Sequence, residues 1–192
     1  AALAGLLLAV QKLSGYSLEP VFVDLDGDRR LDVVVTTIDI DGPNVLRAVT
    51  SGRVAAQTRA FLQRTTEAGT PAYPAQPDAA VASDVGVKIR FGYAGNLDIA
   101  RSFTIVAQGD LDGDGKNDLV IRTGPDRLAV RAGAATGVWA AQARTLEIPA
   151  LGAGEELDAT PADLDGDGQD ELVLHARAAP GGRDRLWIRR GR

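Results

Sequence analysis

The chain has 192 residues, 45% of them hydrophobic and 24% charged, the composition of a soluble globular protein with one packed core rather than of a disordered segment. It contains no cysteine, which excludes disulfides, zinc–thiolate sites and a thiol nucleophile. The net charge is −5 and no basic stripe with interleaved aromatics is present, so nothing points to a nucleic-acid partner.

The first ten residues, AALAGLLLAV, are too few to span a bilayer, and no transmembrane segment is expected. Leu3, Leu6, Leu7, Val10 and Leu13 recur at helical spacing and predict a helix near 2–13; a signal-peptide remnant within 1–15 is the alternative. A strand over 18–23 leads into an acidic loop at Asp24, and a second strand follows over 31–40. Residues 43–51 predict a short helix with Pro43 at its first position and Val45, Leu46 and Val49 on one face. Residues 54–63 return as a strand, the proline-rich 70–78 forms a loop or edge, and 85–93 alternates as a strand. The second acidic loop, at Asp110, lies between strands over 103–107 and 118–123. A turn at Gly124-Pro125-Asp126 then leads into 127–132, where Leu128 and Val130 alternate with polar residues, and 138–148 supplies an outer strand. The third loop, at Asp163, lies between strands over 157–162 and 171–176. Gly181-Gly182 turns the chain into 185–189, where Leu186 and Ile188 alternate.

The three loops are internal repeats: DLDGDRRLDVVV, DLDGDGKNDLVI and DLDGDGQDELVL. Counting the first acid as offset 0, acids fall at offsets 0, 2, 4 and 8. These are Asp24, Asp26, Asp28 and Asp32; Asp110, Asp112, Asp114 and Asp118; and Asp163, Asp165, Asp167 and Glu171. Leucine holds offset 1, glycine offset 3, and three apolar residues follow at offsets 9 to 11. Carboxylates at alternate positions converge when the backbone curls, and a hard cation with oxygen ligands makes their mutual repulsion tolerable. Arg30, Lys116 and Gln169 at offset 6 would each add a backbone carbonyl, for up to three Ca²⁺ ions in all. Glycine at offset 3, and at offset 5 in the second and third loops, allows a left-handed turn. Arg29 stands at offset 5 of the first loop, where positive φ costs on the order of 1 kcal/mol, so this is expected to be the weakest site. An EF-hand needs a bidentate glutamate at offset 11, where this chain has Val35, Ile121 and Leu174. The alternative without metal is a set of plain Asp-Gly turns, against which the identical acid spacing in three copies argues.

The motif carried by 24–35, 110–121 and 163–174 resembles the FG-GAP/VCBS repeats of integrin-α-like β-propellers. That resemblance implies a mainly β fold of propeller-like, four-stranded antiparallel sheets in about three blades, part of a larger or incomplete propeller. Within a single repeat domain over 1–192, the blades would span 16–100 with an insertion, 101–150, and 151–192 truncated after its third strand. It also implies Ca²⁺ in each loop, a binding or adhesion role toward an unknown protein or glycan ligand, and an extracellular, periplasmic or cell-surface, bacterial-like location. Two other readings stand beside it. One is a secreted metal-dependent hydrolase or lyase of extracellular polymers, using acids outside the loops such as Asp39, Asp41, Glu155 and Glu156; the other is a purely structural domain of a surface protein. No catalytic constellation accompanies His175, the one histidine, so a non-enzyme is expected. Trp139 and Trp187 are expected to pack between sheets, and the closing Arg189-Arg190-Gly191-Arg192 to be solvated charge.

Overall fold

The computed structural model describes residues 16–18, 20–39, 41–86, 88–91, 97–100, 105–106, 109–124, 126–135, 138–151, 155–178 and 181–190. The helix or signal remnant expected within 1–15 lies outside these residues.

In the first sheet β1 (Tyr16–Ser17) and β2 (Val21–Val23) both pair antiparallel with β3 (Asp32–Ile38). The strand expected over 18–23 is thus shortened to Val21–Val23, and Pro20, which has no N–H to donate to a ladder, stands just before it. Helix α1 (Gly42–Ser51) follows. Asp41 caps it by accepting the N–H of Asn44 at 2.8 Å, Pro43 sits in its first turn, and Gly52 ends it in the left-handed conformation. Its buried residue is Ala48, which joins the core beneath it. Val45, Leu46 and Val49, which share one face by their spacing, are exposed: the small alanine face is the one that allows close approach to the sheet.

β4 (Arg53–Phe61) pairs with β3 and with β7 (Ala79–Gly86), completing a five-stranded sheet. Between them β5 (Arg64–Thr65) and β6 (Pro71–Ala72) form a small hairpin, whose second strand lies in the expected proline-rich 70–78. The strand expected over 85–93 is split between the end of β7 and β8 (Lys88–Phe91), which pairs with β9 (Leu97–Ala100) in a separate hairpin. The second sheet runs β10 (Ile105–Val106), β11 (Leu119–Arg122), β12 (Arg127–Arg131) and β13 (Arg144–Glu147). Its outer strand is shorter than the expected 138–148, because Trp139 bridges to Gly133 and buries with Val138 in the core. The third sheet has three strands, β14 (Glu156–Ala162), β15 (Glu171–Arg177) and β16 (Arg185–Arg190). Each acidic loop joins two paired antiparallel strands, β2 to β3, β10 to β11, and β14 to β15.

Side chains alternate across a strand, so one strand can serve two cores. Leu119 and Ile121 of β11 pack with Val34, Ile38, Ala56 and Trp139 against the first sheet. Val120, on the opposite pleat, packs with Leu128 and Val130 against Leu172 and Leu174 of the third. Coverage on both faces explains why Leu119, Val120 and Ile121 of β11 are consecutive apolar residues. The third sheet repeats this register on its far face, with Val173 opposite Ile188 and His175 opposite Leu186, as Val120 lies opposite Val130 and Arg122 opposite Leu128. There the leucines are uncovered: Leu186 is 63% exposed against 0% for Leu128, and Leu164 is 54% exposed against 1% for Leu111. The described chain is mainly β, with antiparallel sheets, one short helix and no closed barrel, an arrangement compatible with a propeller.

Candidate metal centres in three acidic loops

In every loop the offset-0 aspartate is the hub around which the backbone turns. Asp24 Oδ1 accepts the N–H groups of Gly27 (2.8 Å) and Asp28 (3.1 Å), and its Oδ2 that of Arg29 (2.7 Å). Asp110 does the same for Gly113, Asp114 and Gly115 at 2.7, 3.0 and 2.6 Å. Asp163 accepts from Gly166 at 2.7 Å and Gly168 at 3.0 Å. Offsets 3 and 5 are left-handed throughout, with φ of 80° and 67° at Gly27 and Arg29, 79° and 83° at Gly113 and Gly115, and 78° and 85° at Gly166 and Gly168. Arg29 is the one non-glycine residue with positive φ among the described residues, in keeping with the strain read from the sequence.

The offset-4 acids turn back on the loop as well. Asp28, Asp114 and Asp167 accept the backbone N–H of Arg30, Lys116 and Gln169 at 2.8, 2.9 and 2.9 Å. Arg30 and Lys116 also place their charged ends on Asp28 and Asp114.

The offset-8 acid behaves differently: it is a buried strut. Asp32 accepts the N–H of Leu25 on one oxygen and that of Gln63, just past β4, on the other, both at 2.8 Å. Asp118 accepts Leu111 N–H at 3.0 Å and Gly133 N–H, just past β12, at 2.8 Å. Burial raises the carboxyl pKa of both, that of Asp118 to about 6, outweighing the two N–H groups that favour its ionised form; neighbouring loop acids push the same way as burial. Glu171, one methylene longer, accepts Leu164 N–H at 3.0 Å and meets Arg190 Nε at 3.2 Å instead of a backbone group. Arg190 also bonds Asp165, so this arginine of the closing basic run, exposed as expected, is in addition paired with two acids of the third loop. Only its place at the end of β16, beside Glu171 in the ladder, could have indicated that.

Three carboxylates converge in each loop: Asp24, Asp26 and Asp32; Asp110, Asp112 and Asp114; Asp163, Asp165 and Glu171. In each set one oxygen per residue lies within 4.8 Å of the others. Oxygens that share a Ca²⁺ at 2.3–2.6 Å are at most roughly 5 Å apart, and a carboxylate oxygen that accepts one N–H keeps a second lone pair, so these all-oxygen sets fit the ion. Asp28, Asp118 and Asp167 stand outside the convergent sets.

Residues 110–174 match the family model described as the FG-GAP-like repeat. This stretch is similar to the FG-GAP-like repeat. It begins on the hub of the second loop and ends at offset 11 of the third, so the matched segment takes in both loops and, between them, strands β11 to β14. Comparison with curated proteins and with solved structures gave no match.

Proposed function

We propose that the chain is a calcium-binding FG-GAP/VCBS-type module that serves binding or adhesion outside the cytoplasm and carries out no catalysis of its own. The observation that carries this reading is the threefold convergence of carboxylate oxygens within 4.8 Å in loops of identical acid spacing. Calcium would be held by Asp24, Asp26 and Asp32, by Asp110, Asp112 and Asp114, and by Asp163, Asp165 and Glu171, neutralising their repulsion and stiffening each loop. Two of the acids that a hydrolase would need are otherwise engaged: Asp41 caps α1, and Glu155 pairs with Arg185. The partner is a protein or glycan, and no helix among the described residues is long and apolar enough to cross a membrane.

Thermal unfolding in Ca²⁺, in Mg²⁺ and in excess chelator, with a metal count, tests the reading. A site filled to a hundred times its Kd adds about 2.7 kcal/mol, which at this chain length raises Tm by roughly 5–10 °C. Two or three calcium ions per chain with such a rise are expected. A chain that retains no metal and melts identically in chelator would mean that the loops are plain turns.

A further inference from the structure

The loops touch one another, and offset 7 makes the contact at both junctions. Asn117, at offset 7 of the second loop, donates from Nδ2 to the backbone carbonyl of Asp24, the hub of the first loop, at 2.5 Å. Its Oδ1 accepts the N–H of Gly109, which leads into its own loop. Asp170, at offset 7 of the third loop, makes the matching contact one step along: its N–H donates to Asp110 O at 2.7 Å, and its Oδ2 accepts Asp110 N–H at 2.8 Å. Gln169 beside it is buried and donates from Nε2 to Leu111 O. The first loop has no predecessor among the described sheets, and its offset 7 is Leu31, an exposed residue. Backbone packing is close at these junctions. A Cβ on Gly109 would lie 2.3 Å from that of Pro161 in β14, and one on Gly27 would lie 3.6 Å from Gly115 O.

Both contacts end on the hub residue, whose carboxylate gathers its own loop and belongs to the convergent set. From this we propose that Asn117 and Asp170 are positioning residues that latch each acidic loop to the one before it, so that the three loops load as a coupled row. The inference rests on the calcium reading above. An ordered loop holds the hub of its predecessor in place, so the predecessor loses less conformational freedom when it fills, and linkage makes the effect reciprocal.

The test follows loop-resolved Ca²⁺ titrations of the full chain by NMR, with the Gly113 and Gly115 amides reporting the second loop and those of Gly166 and Gly168 the third. Asp165→Ala disables the third loop and leaves the latch in place. In the parent chain it should weaken calcium binding in the second loop about fivefold or more, the lower end of ordinary coupling between sites. In an Asp170→Ala background the same substitution should change second-loop affinity by less than about twofold, the expectation for uncoupled sites. Asp170→Asn keeps an acceptor for Asp110 N–H and should restore the coupling, which a merely misfolded alanine variant would not explain. Unchanged second-loop affinity in Asp165→Ala, with calcium bound, overturns the latch and leaves the calcium reading intact. Full coupling that survives Asp170→Ala overturns it equally. Absence of calcium binding in every loop overturns both.

Discussion

Leu128 and Leu186 occupy the same register position in successive sheets, one covered and one bare, and substituting each by alanine measures what the stacking of sheets contributes. Leu128 is fully buried among Val120, Val130, Leu172 and Leu174, and a leucine truncated in such a core costs about 2–5 kcal/mol from lost burial and the cavity left behind. Leu186 is 63% exposed, so Leu186→Ala should stay within about 0.5 kcal/mol of the parent. Urea unfolding at one fixed calcium concentration gives both values, the fixed concentration holding the linkage contribution constant. In thermal melts Leu128→Ala should lower Tm by roughly 5–15 °C and Leu186→Ala by less than about 2 °C. Equal losses at the two positions would refute the reasoning, since they would require the far face of the third sheet to be buried in solution as deeply as that of the second.

Three further outcomes are expected. Arg29→Gly should stabilise the chain by up to about 1 kcal/mol in chemical denaturation, because it relieves a left-handed residue, less a contribution from the freer unfolded chain; Gly115→Ala, with open space around the added Cβ, should cost a similar amount. Asp118 holds its proton to about pH 6 when folded and to about pH 4 when unfolded, so the native state binds the proton more tightly between those values. In chelator, its contribution to stability is therefore full below about pH 4 and lost as pH rises through 6. Asp118→Asn should flatten that part of a Tm-against-pH curve, and a curve unchanged by the substitution would rule out the assignment. Arg190→Gln should tighten calcium binding in the third loop about two- to fivefold by removing an exposed cation paired with Asp165 and Glu171; titration of the Gly166 and Gly168 amides reads this directly, and unchanged or weaker binding contradicts it.

The acid spacing, the left-handed turn and the flanking strands are written locally, in offsets a few residues apart, and were readable for that reason. Asp24, Asp110 and Asp163 are hubs because short-range N–H groups find them. The roles that escaped depend on pairings across 25 residues or more. Asp32 reaches Gln63, Asn117 reaches Asp24, and Arg190 reaches Asp165, none of which periodicity can reveal. Which face of α1 is buried is not written in its own spacing, for a related reason. Apolar spacing marks a face, but what the face meets is decided by the sheet, which here accepts Ala48.

The offset-8 acid explains why loop and core must be considered together. It accepts the backbone N–H of the offset-1 leucine in all three repeats, Leu25, Leu111 and Leu164. In the first two repeats that leucine is the side chain that enters the core between its own sheet and the next. In these two, one carboxylate thus fixes the loop's first turn, ties it to the far end of β4 or β12 through Gln63 or Gly133, and sets the depth of a core leucine. Charge added to or removed from the loop acts on a group whose other contacts are structural. The burial that raises the pKa of Asp118 is the same burial that seals Leu111, so the cost of ionising that acid in a metal-free loop is borne by the packing between sheets. A cation held by Asp110, Asp112 and Asp114 would offset that cost, and so would strengthen the stack of sheets as well as the loop that binds it.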